Sequence, residues 1–138
     1  TNISYITIAS AGNSSNFASL NVLAGVINGT GASSNTRGIF FGGRNASSGD
    51  GINEMSYITI ASASNSQDFG NLTATSRYNA ATSSSTRAVC ALGSAAGNNV
   101  NNLDYVTISS LGNSSDFGDL TSHFNGGAAA SQVHGGLS

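Results

Sequence analysis

Proline, lysine and tryptophan are missing from all 138 residues, and cysteine occurs once. Without lysine, the cations are Arg37, Arg44, Arg77 and Arg87, too few and too scattered for the basic patch that phosphate backbones require. Nucleic acid is therefore not an expected partner. Cys90 has no second thiol to pair with, and it lies in the apolar run Ala88-Val89-Cys90-Ala91-Leu92. The expectation is a small buried hydrophobe. Charged residues make up 7% of the chain and the formal net charge is −2. Disorder normally goes with a larger net charge than this, and so sparse a supply of ionisable groups argues against an ordinary enzyme. No apolar run is long enough to cross a bilayer as a helix, so no membrane span is expected. The sequence shows no initiator Met and no signal peptide. It starts almost at a repeat boundary, as a processed product or a piece of something longer would.

Ser, Thr, Asn, Gly and Ala fill the gap, a mixture that suits short strands joined by many turns. One stretch occurs three times: Ile3-Ser4-Tyr5-Ile6-Thr7-Ile8, Met55-Ser56-Tyr57-Ile58-Thr59-Ile60 and Leu103-Asp104-Tyr105-Val106-Thr107-Ile108. Each copy is followed by a Phe-centred segment: Asn13-Ser14-Ser15-Asn16-Phe17, Asn65-Ser66-Gln67-Asp68-Phe69-Gly70 and Asn113-Ser114-Ser115-Asp116-Phe117-Gly118. The starts lie 52 and 48 residues apart, the period of a repeat architecture.

The Tyr-centred segments read as strands, β-branched and aromatic, with apolar residues on both faces. A strand covered on both sides has this pattern. The first unit reads as strands at Ile3–Ala9, Phe17–Leu20, Ala24–Ile27 and Thr36–Gly43, with a loop over Asn28–Asn35. The second follows with Tyr57–Ile60, Phe69–Leu72, Arg77–Ala81 and Thr86–Gly93. The third has Tyr105–Ile108, Phe117–Leu120, Phe124–Ala128 and a last slot at Ala129–Gly136, in which Gly135-Gly136 matches Gly42-Gly43 and Ala130 replaces the Arg. The expected architecture is all-β: one repeat domain, 1–138, of three four-stranded antiparallel blade-like units over about 1–54, 55–102 and 103–138. Four-stranded units of this period are the blades of a β-propeller. Such rings close with about four to eight blades, so three units call for completion by oligomerisation, as two chains in one ring, as part of a longer ring, or as a stacked fibre.

The string Tyr105-Val106-Thr107-Ile108-Ser109-Ser110-Leu111-Gly112-Asn113-Ser114-Ser115-Asp116-Phe117-Gly118-Asp119-Leu120-Thr121 resembles the kelch-like repeats of structural and tail-fibre proteins of marine bacteriophages. The glycine strand Ser34-Asn35-Thr36-Arg37-Gly38-Ile39-Phe40-Phe41-Gly42-Gly43 fits the same pattern, and Arg77 stands where such repeats carry Arg after a Leu-Thr pair. The first unit departs from it at Asn16-Phe17-Ala18-Ser19-Leu20 and carries Gly25 near the Arg place. The resemblance implies a non-enzymatic structural or adhesive module on a virion: a tail fibre, capsid decoration or receptor-binding component for host attachment. It implies partners among other copies of the chain or other virion proteins, with a host surface glycan as a further candidate.

Tyr5, Tyr57 and Tyr105 recur at one place. They serve either as packing between sheets or as ledges for a sugar ring. Arg37 and Arg87 also recur, as bridges to neighbouring carbonyls or as binding groups. A lectin with one shallow site between blades is the alternative function, though the connecting loops Arg44–Gly51 and Ala95–Asn102 do not match. Asp68-Phe69-Gly70 and Asp116-Phe117-Gly118 spell the kinase magnesium tripeptide, but the lysine a kinase needs is absent. There Asp reads as a turn acceptor. His123 and His134 with Cys90 make a poor zinc set. Asp50-Gly51-Ile52-Asn53-Glu54 lacks EF-hand spacing and reads as a turn. No cofactor, metal or catalytic residue is expected.

Overall fold

The computed structural model describes residues 2–20, 26–95 and 97–130. Among them are twelve strands and no helix. In chain order these are β1 (Asn2–Tyr5), β2 (Ser15–Ser19), β3 (Val26–Ile27), β4 (Thr30–Ser33), β5 (Arg37–Asn45), β6 (Gly51–Thr59), β7 (Gln67–Arg77), β8 (Ala80–Ser83), β9 (Arg87–Ala91), β10 (Ser94–Ala95), β11 (Asn98–Thr107) and β12 (Ser115–Phe124). All pairings among them are antiparallel.

Two four-stranded arrays share one order. In the first, β4 pairs β5, β5 pairs β6 and β6 pairs β7. In the second, β8 pairs β9, β9 pairs β11 and β11 pairs β12. The end of β7 also pairs β10, and β10 pairs β11, so the two arrays join into one curled sheet that forms a half-barrel. The first Tyr-centred copy lies in a separate two-stranded hairpin, β1–β2.

Both arrays and the hairpin share an irregularity beside the Phe. Gly70 faces Met55 and Asp68 faces Ser56, which leaves Phe69 as an extra residue. Gly118 faces Leu103 and Asp116 faces Asp104, leaving Phe117. In the hairpin Ala18 faces Ile3 and Asn16 faces Ser4, leaving Phe17. These are β-bulges, which bend a strand and re-aim its side chains. Here they set each Phe edge-on to the Tyr of its partner strand, at centroid separations of 6.3, 6.0 and 5.9 Å for Tyr5–Phe17, Tyr57–Phe69 and Tyr105–Phe117.

The core lies between the arrays. Ile39, Phe41, Met55 and Leu72 from the first are buried together with Ala88, Cys90, Val106 and Ile108 from the second. Each large side chain of this kind contributes about 1.5–3 kcal/mol on burial. β6 is covered on both faces, with Met55, Ser56 and Tyr57 all buried, whereas β11 buries Asp104 and Val106 on one face and leaves Leu103 and Tyr105 half-buried on the other.

Several strand assignments differ from the sequence expectation. β4 runs through Asn28–Asn35, where two glycines signal a loop. The glycine there serves close packing: a Cβ on Gly31 would sit 3.0 Å from the Ile39 carbonyl oxygen. Arg77 ends β7, and the next strand is the small-residue run Ala80–Ser83. The first strand stops at Tyr5, with Ile6–Ala9 outside it. In the arrays the corresponding strands continue to Thr59 and Thr107, where β5 and β9 pair with them; β1 has only β2 beside it. His123 and Phe124 close β12, and 125–130 form no strand. Ala24, Gly25, His134 and the Gly135-Gly136 pair lie outside the described residues. The arrays span 30–77 and 80–124, so sequence boundaries at Met55 and Leu103 fall mid-array.

Candidate functional site

A tight turn aims each recurrent arginine. Ser34 Oγ accepts the N–H groups of Thr36 and Arg37, both at 3.2 Å. Ser84 Oγ accepts those of Thr86 and Arg87 at 3.3 and 3.1 Å. A serine that bonds the backbone two and three residues on fixes such a turn without proline. The Arg that follows lies on the first residue of a strand, beside the Tyr of the neighbouring strand. Arg37 Cζ stands 4.8 Å from the Tyr57 ring centroid, and Arg87 Cζ stands 4.8 Å from that of Tyr105. With the bulged Phe at the ring, each array carries an Arg–Tyr–Phe stack. Tyr57 is buried and its hydroxyl donates to Gln67 Oε1 at 2.7 Å. Tyr105 is half-buried. Tyr5 has the Phe but no Arg among the described residues, and it is 52% exposed. The Tyr57 ring lies between Arg37 and Phe69.

The two arginines differ in reach. Arg37 Nη1 crosses to the other array and donates to the Ile108 carbonyl oxygen at 2.9 Å. Arg87 is exposed, and no acceptor among the described residues meets its guanidinium.

Three further contacts tie neighbouring units together. Asn113 Oδ1 accepts the Asn71 N–H at 3.0 Å, and the Ser114 N–H donates to the Asn71 carbonyl at 2.9 Å. One unit earlier, Asn65 Oδ1 accepts the Ser19 N–H at 3.0 Å, and the Ser66 N–H donates to the Ser19 carbonyl at 3.0 Å. The same clamp therefore joins hairpin to first array and first array to second. The third contact is Asp104, 1% exposed. Its carboxylate accepts the Thr73 N–H at 2.8 Å, the Thr73 hydroxyl at 2.8 Å and the Ser114 hydroxyl at 2.6 Å. Three donors compensate the cost of burying the charge.

Sequence reasoning did not single out Asp104, Asn65 or Asn113. The asparagines carry a signal, since Asn13, Asn65 and Asn113 recur in step with the tyrosines. Asp104 carries almost none, because the other copies have Ser4 and Ser56 in its place.

The remaining candidates are dispersed. Asp68 and Asp116 each accept a backbone N–H two residues on, from Gly70 at 3.2 Å and Gly118 at 3.0 Å, so both carboxylates close a turn. Asp50 is in the β5–β6 loop, while Asn53 and Glu54 belong to β6. His123 is exposed on β12. Among the described residues no group of three or more His, Cys, Asp or Glu side chains converges. Burial, and secondarily the neighbouring Asp104 carboxylate, push the Cys90 thiol far above its usual range. A thiol that stays protonated is neither a nucleophile nor a metal ligand at neutral pH. Two clefts have polar linings. One of about 500 Å³ lies among Asp50, Thr75, Arg77 and Ser94, with Arg77 Nη1 donating to the Gly49 carbonyl at 2.6 Å. The other, of about 190 Å³, lies beside Tyr105, Ser110 and Asn113. No helix is long and apolar enough to cross a membrane among the described residues.

No known family model matches the chain, and no curated protein matches it significantly.

Proposed function

We propose that the chain is a non-enzymatic structural or adhesive module whose β-propeller-like units join side by side, carried on a virion as part of a tail fibre, a capsid decoration or a receptor-binding component. The observation that carries this reading is the reuse of one junction, in which Asn65 and Asn113 clamp successive units by the same pair of hydrogen bonds. The side chains of most chemical promise are engaged in such contacts: Arg37 on Tyr57 and Ile108, and Asp104 on Thr73. The resemblance to kelch-like phage repeats supports the virion setting. Equivalent units also give avidity to weak contacts with a host surface. Partners in this reading are other copies, other virion proteins and a host surface glycan. Immunogold labelling of virions with antibody against the purified chain tests it. Gold on the appendage or capsid is expected; label confined to soluble cell protein rejects the assignment.

A carbohydrate-binding lectin is the second reading, favoured by the small cleft beside Tyr105 with its hydroxyl and amide lining. It predicts a hit on a broad glycan array that Tyr105→Ala abolishes. No binding across the array removes it.

A further inference from the structure

The junction between the arrays has a receiving face on β5–β7 and an entering face on β11 and the loop that follows. Both faces recur without a partner unit among the described residues. On the receiving side, Val89, Leu103 and Leu120 occupy the positions of the buried Ile39, Met55 and Leu72. These three are only half-buried, and with Phe124 and Ala128 they line an apolar groove of about 340 Å³. Arg87 has the Tyr stack of Arg37 but meets no carbonyl among the described residues. On the entering side, Ile8 stands at the position of Ile108. Ile108 is 1% exposed and Ile8 is 95% exposed. Asn13 and Ser14, both exposed, correspond to the clamping pair Asn113 and Ser114.

We infer that these faces are complementary, and that a second copy of this chain docks its β1–β2 hairpin on the Leu103–Leu120 groove. The occupant follows from continuity with the internal junction, because the hairpin carries the residues that enter that junction elsewhere. This rests on the proposed reading of the chain as an assembling module and names the surface it uses. At the equivalent positions, Asn13 Oδ1 accepts the Asp119 N–H and the Ser14 N–H donates to the Asp119 carbonyl. Arg87 donates to the Ile8 carbonyl, as Arg37 does to Ile108. Ile8 leaves water for the apolar groove, which supplies the driving force. Different surfaces meet, so the contact is head-to-tail; it closes as a ring or continues as a filament.

Paired cysteines test the geometry. The double variant Ser14→Cys/Asp119→Cys, mildly oxidised, is expected to give a ladder of linked chains on a non-reducing gel, while each single variant runs as one chain. Buried Cys90 stays reduced. A disulfide closed within one chain, or none at all, overturns the docking. Ile8→Asp and Leu120→Asp test the energetics. Neither side chain is buried in the single chain, so circular dichroism should be unchanged. Each should weaken association by about 100-fold or more, since a carboxylate would have to be buried unpaired, and return the protein to 13.7 kDa on size exclusion. An assembly that survives both variants overturns this surface while the assembling-module reading stands. Wild-type protein that elutes at 13.7 kDa at its highest soluble concentration overturns the docking outright.

Discussion

The buried carboxylate of Asp104 on β11 takes both the backbone N–H and the hydroxyl of Thr73 on β7. One charged side chain thus fixes two four-stranded arrays at a set distance and register, with the Ser114 hydroxyl as a third donor. Asp104→Ala removes the shared acceptor of all three bonds, two of them to Thr73 and one to Ser114. The expected cost is about 3 kcal/mol, more than one neutral hydrogen bond contributes. Asp104→Asn keeps one acceptor and should cost less. Urea denaturation measures both.

Arg37 and Arg87 separate stacking from bridging. Each stacks on a tyrosine, but among the described residues only Arg37 also reaches a carbonyl on the other array. Arg37→Ala should therefore destabilise by about 2 kcal/mol and Arg87→Ala by about 0.5–1 kcal/mol, the size of an exposed cation–π contact. Equal losses in dilute chemical denaturation would mean that the Ile108 contact adds nothing.

Gly70 and Gly118 occupy the same bulge position with φ of 138° and 132°. Alanine at either site is strained, at about 1–3 kcal/mol. At Gly70 the new Cβ would also run into the Gly112 carbonyl of the adjoining array, whereas at Gly118 it meets nothing. Gly70→Ala should lower the melting temperature clearly more than Gly118→Ala, read by calorimetry on the two variants in parallel.

Cys90 makes stability fall at alkaline pH. In the unfolded chain its thiol ionises near pH 8.5, while in the folded chain burial holds it protonated to much higher pH. The unfolded state then binds fewer protons, so unfolding becomes easier as pH rises above about 8.5, by up to ~1.4 kcal/mol per pH unit. Below that pH the contribution is complete. Cys90→Ala should flatten the difference between stabilities at pH 8 and pH 10 relative to wild type. The native thiol should also resist Ellman's reagent until denaturant is added.

Recurrence was the most legible property of the chain. The Tyr-x-Thr-Ile copies at Tyr57 and Tyr105 mark equivalent strands, while in the first copy β1 stops at Tyr5 and Ile8 stays exposed for want of a neighbouring strand. Less legible was the strand Thr30–Ser33, since Gly31 signals a turn by composition and only the close approach of Ile39 explains it. The extension of β7 to Arg77 was hidden by its polar residues, which pair with β6 and then β10 by backbone alone. At the candidate site, the recurrent Tyr and Arg positions were visible, but their partners were not. Arg37 finds its carbonyl 71 residues away and Asp104 finds Thr73 31 residues away. Such pairings depend on how the sheet curls, which no local pattern reports.

The central claim is that the junction between units is also the junction between chains. Thermal unfolding at protein concentrations spanning three decades tests it most directly, because a chain whose open faces are covered by other copies gains stability by mass action. The expected result is a melting temperature that climbs by several degrees with concentration and loses that dependence in Ile8→Asp. A melting temperature that is the same at every concentration, for both proteins, would contradict it.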